Sequence, residues 1–432
     1  MADAHDLDAS NLDTLARLRA GQLRGCTRLD LRRCGLDELP PQLLELADTL
    51  QSLDLSGNAL HRLPDDFHRL HRLQVLFCSD NPFTELPAVL GRCAALGLIG
   101  FKANRIQCVP PQSLPPTLRW LILTDNQIAE LPETLGDCQP LQKLMLAGNQ
   151  LQALPASLGR CQRLELLRIA ANRFGSAEAA LPMALLALPR LAWLAHAGNP
   201  FSAINEQAGE QAAALGAADT DIAWSALQLQ QLLGEGASGR IHAALWQRRG
   251  EPALPVAVKL FKGAMTSDGL PRSEMAASLA AGAHANIVGV HGRVSGHPDG
   301  AAGLVLHRMP AAGRTLAAPP SLASCSRDVY ADGQRFSAAQ ALAIASGTAA
   351  ALAHLHQRGL VHGDLYAHNI VSDAQGQALL SDFGAASFVP GDDAARAEAL
   401  RRLDRRALRV LVDELAQRCD DPAALRSLPL SG

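Results

Sequence analysis

From about residue 27 to residue 202 the apolar positions follow one rule, LxxLxLxxN. Its polar end falls at Asn58, Asn81, Asn104, Asn126, Asn149 and Asn172, with a longer step to Asn199 and Cys34 in the first slot. A Leu-Pro or Val-Pro pair follows most copies, from Leu39-Pro40 to Leu154-Pro155. The LxL core of each copy predicts a short strand whose leucines face one side and whose third and fifth residues face the other. One copy is too short to bury its leucines alone, so neighbours must stack, and the Asn side chains are predicted to hydrogen-bond turn backbone along the stack. The third positions read Ser52, Val75, Leu98, Trp120, Lys143, Leu166 and Trp193. The fifth read Asp54, Phe77, Gly100, Ile122, Met145, Arg168 and Ala195. That outward face is unusually apolar.

The rule stops after Asn199-Pro200-Phe201, and a different pattern begins at Ile222. The run AWSALQLQQLL reads as a strand leading into Gly234, Gly236 and Gly239, and Arg240 to Trp246 reads as its returning partner. A third strand carries Val256-Ala257-Val258-Lys259, followed by an amphipathic stretch, SEMAASLAAG. Residues 337–358 form an Ala- and Leu-rich helix, and LDRRALRVLVDELAQRC a last one. The divisions are then a cap segment at 1–26, the array at 27–202, a linker at 203–221 and a C-terminal domain at 222–432.

A chain of 432 residues is too long for one ordinary core, in keeping with two domains. The net charge of −3, with mixed signs, offers no basic footprint for nucleic acid and no polybasic stretch for a membrane. The start, MADAHDLDAS, lacks the basic and apolar regions of a signal peptide, and no 18-residue apolar run stands out, so a cytoplasmic protein is expected. Nine cysteines with no zinc spacing argue against a disulfide or metal framework. Cys93, Cys138 and Cys161 each end a Gly-Xaa-Cys triplet in successive copies and read as small buried hydrophobes.

The eight copies of LxxLxLxxN closely resemble the leucine-rich repeat family, whose period is about 20–29 residues. The resemblance implies an α/β solenoid, or horseshoe, and a protein partner or substrate on its concave face. An apolar strip of this kind marks a binding surface. The same strip could also be covered by the chain's own N-terminal segment or its C-terminal domain.

The stretch Val361 to Asn369, VHGDLYAHN, is followed by Asp382-Phe383-Gly384 at the spacing a phosphoryl-transfer site needs. The order of glycine loop, lysine strand, this loop and Asp-Phe-Gly resembles the protein kinase family, and implies an α+β bilobal domain using ATP and Mg²⁺. The resemblance places Gly234, Glu235, Gly236, Ala237, Ser238 and Gly239 over the phosphates. Lys259 would contact them, with Glu274 as its ion-pair partner. Ile241, Ala257 and Val371 would sandwich adenine, Leu306 would stand at the gate, and His307 to Met309 would offer backbone groups. Asp364 would be the general base, Asn369 and Asp382 would hold Mg²⁺, and His362 would brace the loop. The segment His284 to Val288 resembles the one that opens an N-lobe strand. A glycine loop alone would also fit a dinucleotide site, but that needs a helix directly after it, and here a strand is predicted.

Three positions depart from the family. Gly363 replaces the Arg before the catalytic Asp, and Ser387 is the only hydroxyl residue between Gly384 and Asp404, so no phosphorylation switch of the usual kind is expected. Tyr366 stands where a phosphate-binding lysine is common, and His368 where tyrosine kinases often carry an Arg, whose contact His368 would then supply. No Ala-Pro-Glu follows Asp-Phe-Gly, and Asp404 on the last helix reads as an anchoring acid, so a truncated C-lobe is expected. Three readings stand: a protein kinase that recruits its partner through the repeats, a nucleotide-binding pseudokinase scaffold, and a small-molecule phosphotransferase.

Overall fold

The structure, a computed structural model, describes residues 8–216, 221–236, 238–263, 265–266, 268–309, 313–322 and 324–427. Two compact units emerge, one running to Leu167 and resuming over Asn172–Arg190, the other made of Arg168–Ala171 and Leu191 onward.

The first unit starts with a helix, Ala9–Arg19, capped by the Asp8 carboxylate on the amides of Ser10 and Asn11. Seven three-residue strands follow: β1 (Arg28–Asp30), β2 (Ser52–Asp54), β3 (Val75–Phe77), β4 (Leu98–Gly100), β5 (Trp120–Ile122), β6 (Lys143–Met145) and β7 (Leu166–Arg168), whose last residue, Arg168, belongs to the second unit. They lie in sequence order, and β1 to β6 pair in parallel with no shift of register, Leu53 beside Leu76 and Ile99 beside Leu121. Short 3-10 turns return the chain on the far side, several opening straight after the Pro of a Leu-Pro pair, as at Ala88–Arg92 and Ala156–Arg160. The inward leucines at 53, 76, 121 and 144 are fully enclosed.

The asparagines act as the pattern requires. Asn126 Nδ2 donates to the carbonyls of Phe101 (2.9 Å) and Leu123 (3.0 Å), while Oδ1 accepts from the Ile106 amide (3.0 Å). Asn58 bonds Cys34, Leu36, Leu31 and Leu55 in the same way. Each side chain thereby satisfies backbone groups that a three-residue strand leaves over. Cys93, Cys138 and Cys161 are buried, and burial pushes their thiols up to about 11, 12 and 11.

On the opposite face the side chains interlock. Phe77 lies over Gly100, where a Cβ would come within 2.5 Å of its ring. Trp120 Nε1 reaches Met145 Sδ (3.4 Å), and Lys143 Nζ stands 4.5 Å from the Trp120 ring centre. Phe77, Trp120, Ile122 and Met145 are half-buried and Leu98 is buried, so the strip is less open than its composition implies.

The second unit contains the last repeat strand, β8 (Trp193–Ala195), tied to its own Arg168–Ala171 segment by Ile169 N to Ala195 O (2.8 Å) and Ala171 N to Ala197 O (2.8 Å). After a helix at Ala203–Gly216 come β9 (Asp221–Ala223), β10 (Leu227–Glu235), β11 (Gly239–Trp246), β12 (Leu254–Phe261), β13 (Val290–Ser295) and β14 (Gly303–His307). These form a six-stranded sheet in the order β10-β11-β12-β14-β13-β9, with β10 and β11 an antiparallel hairpin across the glycine loop. A small core of Ile222, Val256, Val258 and Val305 holds one face. The His284–Val288 segment does not open β13. Instead Val288 N bonds Leu380 O (2.9 Å), and the strand starts at Val290.

Beyond this sheet lie β15 (Arg314–Thr315), β16 (Leu360–Val361), β17 (Ile370–Ser372), β18 (Ala378–Leu380) and β19 (Ser387–Phe388), with long helices at Ala338–Gln357 and Ala394–Arg418. The first of these helices opens with a capping box, Ser337 with Gln340. Among the described residues it is the one helix long and apolar enough to cross a membrane, which the sequence reading did not single out. Its buried residues, Ala341, Ile344, Ala345, Thr348, Ala351, Leu352 and Leu355, recur at helical spacing and form its core-facing stripe.

Candidate active site

The glycine loop is shaped by its third glycine. A Cβ at Gly239 would stand 2.4 Å from the Leu260 carbonyl, so β11 approaches β12 at a distance that only glycine allows there. Around Gly234 and Gly236 a Cβ would meet nothing within 4 Å. The Gly236 amide is donated to Gly239 O (3.0 Å), which closes the turn and leaves the space beside both glycines clear. Glu235 pairs with Lys262 (2.5 Å) and Arg240 (3.3 Å) at the rim, while Ser238 O accepts from the Lys262 amide (3.1 Å). Ala237 lies outside the described residues.

Lys259, on β12, is buried and ion-paired with Glu274 of the Pro271–Ala281 helix, and its Nζ stands 3.8 Å from Asp382 Oδ1. Burial opposes the lysine's charge, but Asp382 and Glu274 outweigh it and raise its pKa. Burial pushes the Glu274 carboxyl up to about 7 against the pull of Lys259.

On the base side Ala257 and Val371 are buried, Ile241 and Leu306 half-buried, and Met309 exposed. Leu306 pairs with Ala257 across β12 and β14. The His307 amide is donated to Gly289 O (2.8 Å) and its ring stacks on His291, so that N–H is already committed. His307 therefore has only its carbonyl to offer a base, beside the backbone of Met309.

The loop at 362–369 is held from several directions. Asp404, on the Ala394–Arg418 helix, accepts from the amides of His362 (2.7 Å) and Gly363 (2.9 Å). His362 lies 3.1 Å from Ser381 O and packs on Phe383, a bracing position. Asn369 Nδ2 donates to Asp364 Oδ2 (3.0 Å) and to its carbonyl (2.9 Å), which leaves the amide oxygen as the group able to hold a cation. Asp382 has a left-handed φ of 56°, a conformation Asp tolerates, and 42% of its side chain is exposed. One amide oxygen and one open carboxylate suit Mg²⁺, which takes few protein oxygens and completes its shell with phosphates and water. Among the described residues no cluster of three or more His, Cys, Asp or Glu side chains is placed to bind a metal by itself.

Three residues that hold this loop carry no motif in the sequence: Asp328, Arg168 and Trp193. Asp328 bonds His368 Nδ1 (2.6 Å) and the amide of Ala367, so His368 is turned to a carboxylate that raises its pKa against the opposing effect of burial. Arg168 is ion-paired with Asp364 and Asp268 and donates to Gly363 O (3.3 Å). Trp193 stacks on Tyr366 with centroids 4.2 Å apart and planes 9° apart, and its Nε1 donates to Leu365 O (2.9 Å). Burial alone would raise the Asp364 pKa, yet Arg168 and His368 bring it below the ordinary value. Ser387 is buried in β19, opposite Val361 of β16.

Residues 227–406 match the family described as protein tyrosine and serine/threonine kinase, and residues 24–83 match the leucine-rich repeat family. The chain joins a leucine-rich repeat region to a protein kinase domain. A curated relative, a probable serine/threonine-protein kinase, roco9, of Dictyostelium discoideum, is 39% identical over 66 residues, which is 15% of this chain and 2% of that protein. A solved structure, of a TLR13-ssRNA13 complex, is 29% identical over 41% of this chain and 25% of its own, with a TM-score of 0.37 too low to carry an argument.

Proposed function

We propose that this chain is an ATP- and Mg²⁺-dependent protein kinase that phosphorylates a Ser, Thr or Tyr hydroxyl on a protein recruited by its repeats. The observation that supports this best is the joint placement of Lys259, Glu274, Asp364, Asn369 and Asp382 in one kinase domain, with Lys259 between Glu274 and Asp382. A binding scaffold gains nothing from keeping all five. Lys259 would hold the α- and β-phosphates, and Asn369 and Asp382 would hold the metal. Bound Mg²⁺ would neutralise charge on the transferring phosphoryl group. Asp364 would orient the acceptor hydroxyl and take its proton, and the glycine loop would exclude water above the phosphates. The half-buried aromatic strip around Phe77 and Trp120 is the surface we assign to the recruited protein.

A pseudokinase scaffold is the second reading, because the Asp364 side chain is only 13% exposed. Incubating the purified chain with labelled ATP, Mg²⁺ and a degenerate peptide library, then locating the phosphate by mass spectrometry, separates the two. Transfer to a hydroxyl that falls about a hundredfold or more in Asp364→Ala, with ATP binding retained, is the expected result. ATP binding without transfer in the wild type would leave the scaffold.

A further inference from the structure

We propose that Arg168, a residue of the repeat pattern, is a positioning residue of the kinase site, which makes the end of the repeat array a working part of the catalytic loop. This deepens the kinase reading and rests on it. Arg168 occupies a fifth position in LxxLxLxxN, yet it belongs to the same compact unit as the loop. Its guanidinium is 3% exposed and reaches three groups: Asp364 Oδ1, Gly363 O at 3.3 Å, and Asp268 Oδ1 at 2.9 Å. With Asn369 on Oδ2, the Asp364 carboxylate is gripped at both oxygens and has one orientation. A planar fork of fixed N–H groups defines that direction in a way a lysine ammonium does not.

Two of the loop's departures from the family, Gly363 and Tyr366, fall on the residues that meet this end of the array. Leu194 N donates to Gly363 O (3.0 Å), and a Cβ at Gly363 would stand 2.4 Å from Leu194 O and 2.7 Å from Ala385 O. With φ at 71° as well, no side chain fits at the position where the family carries Arg. Tyr366, in the place of a lysine, is the stacking partner of Trp193. The loop has given up its own cations where β8 packs, and Arg168 brings a guanidinium to Asp364 from outside it.

The test uses the full chain with Arg168→Ala and Arg168→Lys. Transfer from Mg²⁺-ATP to the peptide library should fall about tenfold or more in kcat for Arg168→Ala, with KM for ATP unchanged, because orientation and not nucleotide contact is lost. Millimolar guanidinium should restore part of the rate by entering the vacated space, and Arg168→Lys should lie between the two. Without nucleotide, hydrogen exchange in the 362–369 peptide should rise in Arg168→Ala while the peptides of residues 50–150 stay as in wild type. A higher rate in Arg168→Ala would overturn the proposal and make Arg168 a plug that keeps acceptors out. Unchanged kcat and exchange, or a loss that guanidinium leaves unrepaired, would also overturn it. Should Arg168→Ala not fold, Arg168→Lys decides: a folded variant with wild-type kcat and exchange sinks the assignment. If wild type transfers no phosphate at all, the kinase reading fails, while loop exchange still decides whether Arg168 orders the loop.

Discussion

The asparagine ladder and the catalytic loop solve the same problem, a short irregular backbone with unsatisfied polar groups, in opposite ways. In the ladder Asn81 and Asn149 reach partners at the same offsets, 3, 21 and 26 residues, and Asn126 makes the same three kinds of bond at 3, 20 and 25. In the loop the partners are Arg168, Asp328 and Asp404, at separations of 196, 39 and 42 residues and with no period. A repeated local rule spreads the polar burden evenly. The loop concentrates it on a few distant side chains, of which Arg168 meets the Asp364 carboxylate and Asp328 and Asp404 take the backbone amides around it.

That contrast can be broken at either end. Removing one rung, Asn126→Ala, takes the side-chain partner from the Ile106 amide and the Phe101 carbonyl, while Leu123 O keeps Asn149, and should cost about 2 kcal/mol or more of urea-unfolding stability. Transfer per folded molecule should stay at the wild-type level if the ladder is purely structural.

In the kinase-side unit, buried His196 has its pKa pulled down to about 4 by loss of hydration. A depressed folded-state value means its contribution is present above pH 6.5 and is lost as the pH falls towards 4, up to about 3 kcal/mol. His196→Phe should flatten that part of the stability profile. An unchanged acid slope would show that other groups set it.

A smaller effect is expected from Trp193→Phe, which keeps a ring over Tyr366 but removes the bond to Leu365 O, at about 1 kcal/mol. Its thermal unfolding should shift slightly while phosphoryl transfer falls more than stability does. Equal losses in both would make the contact mere packing. Phosphatase treatment should have the least effect, leaving activity unchanged, because Ser387 is enclosed between β16 and β19. A large drop reversed by ATP would reveal a switch elsewhere.

The repeats were legible because a period fixes every side of a strand at once: LxL gives inward leucines, Asn the turn and Pro the return. The glycine hairpin, Lys259 with Glu274, and the anchoring by Asp404 were equally legible, since each falls in the order of elements that the protein kinase resemblance implies. The apolar strip formed by the third and fifth positions of the repeats was read correctly in composition but not in exposure. Leucine count does not reveal that Phe77 folds over Gly100 or that Trp120 closes on Met145 and Lys143.

What the sequence by itself determined, then, is what local periodicity or short motifs carry: the inward leucines and asparagine rungs of the array, the glycine hairpin, and the pairing of Lys259 with Glu274. Tertiary structure alone decided how Asp364 is held. Arg168 looks like one more outward residue of a repeat, and Asp328 sits in a stretch without pattern. Only the folded chain places them against the loop, because an ion pair between residues far apart in sequence depends on where two backbones meet, and no spacing rule encodes that meeting.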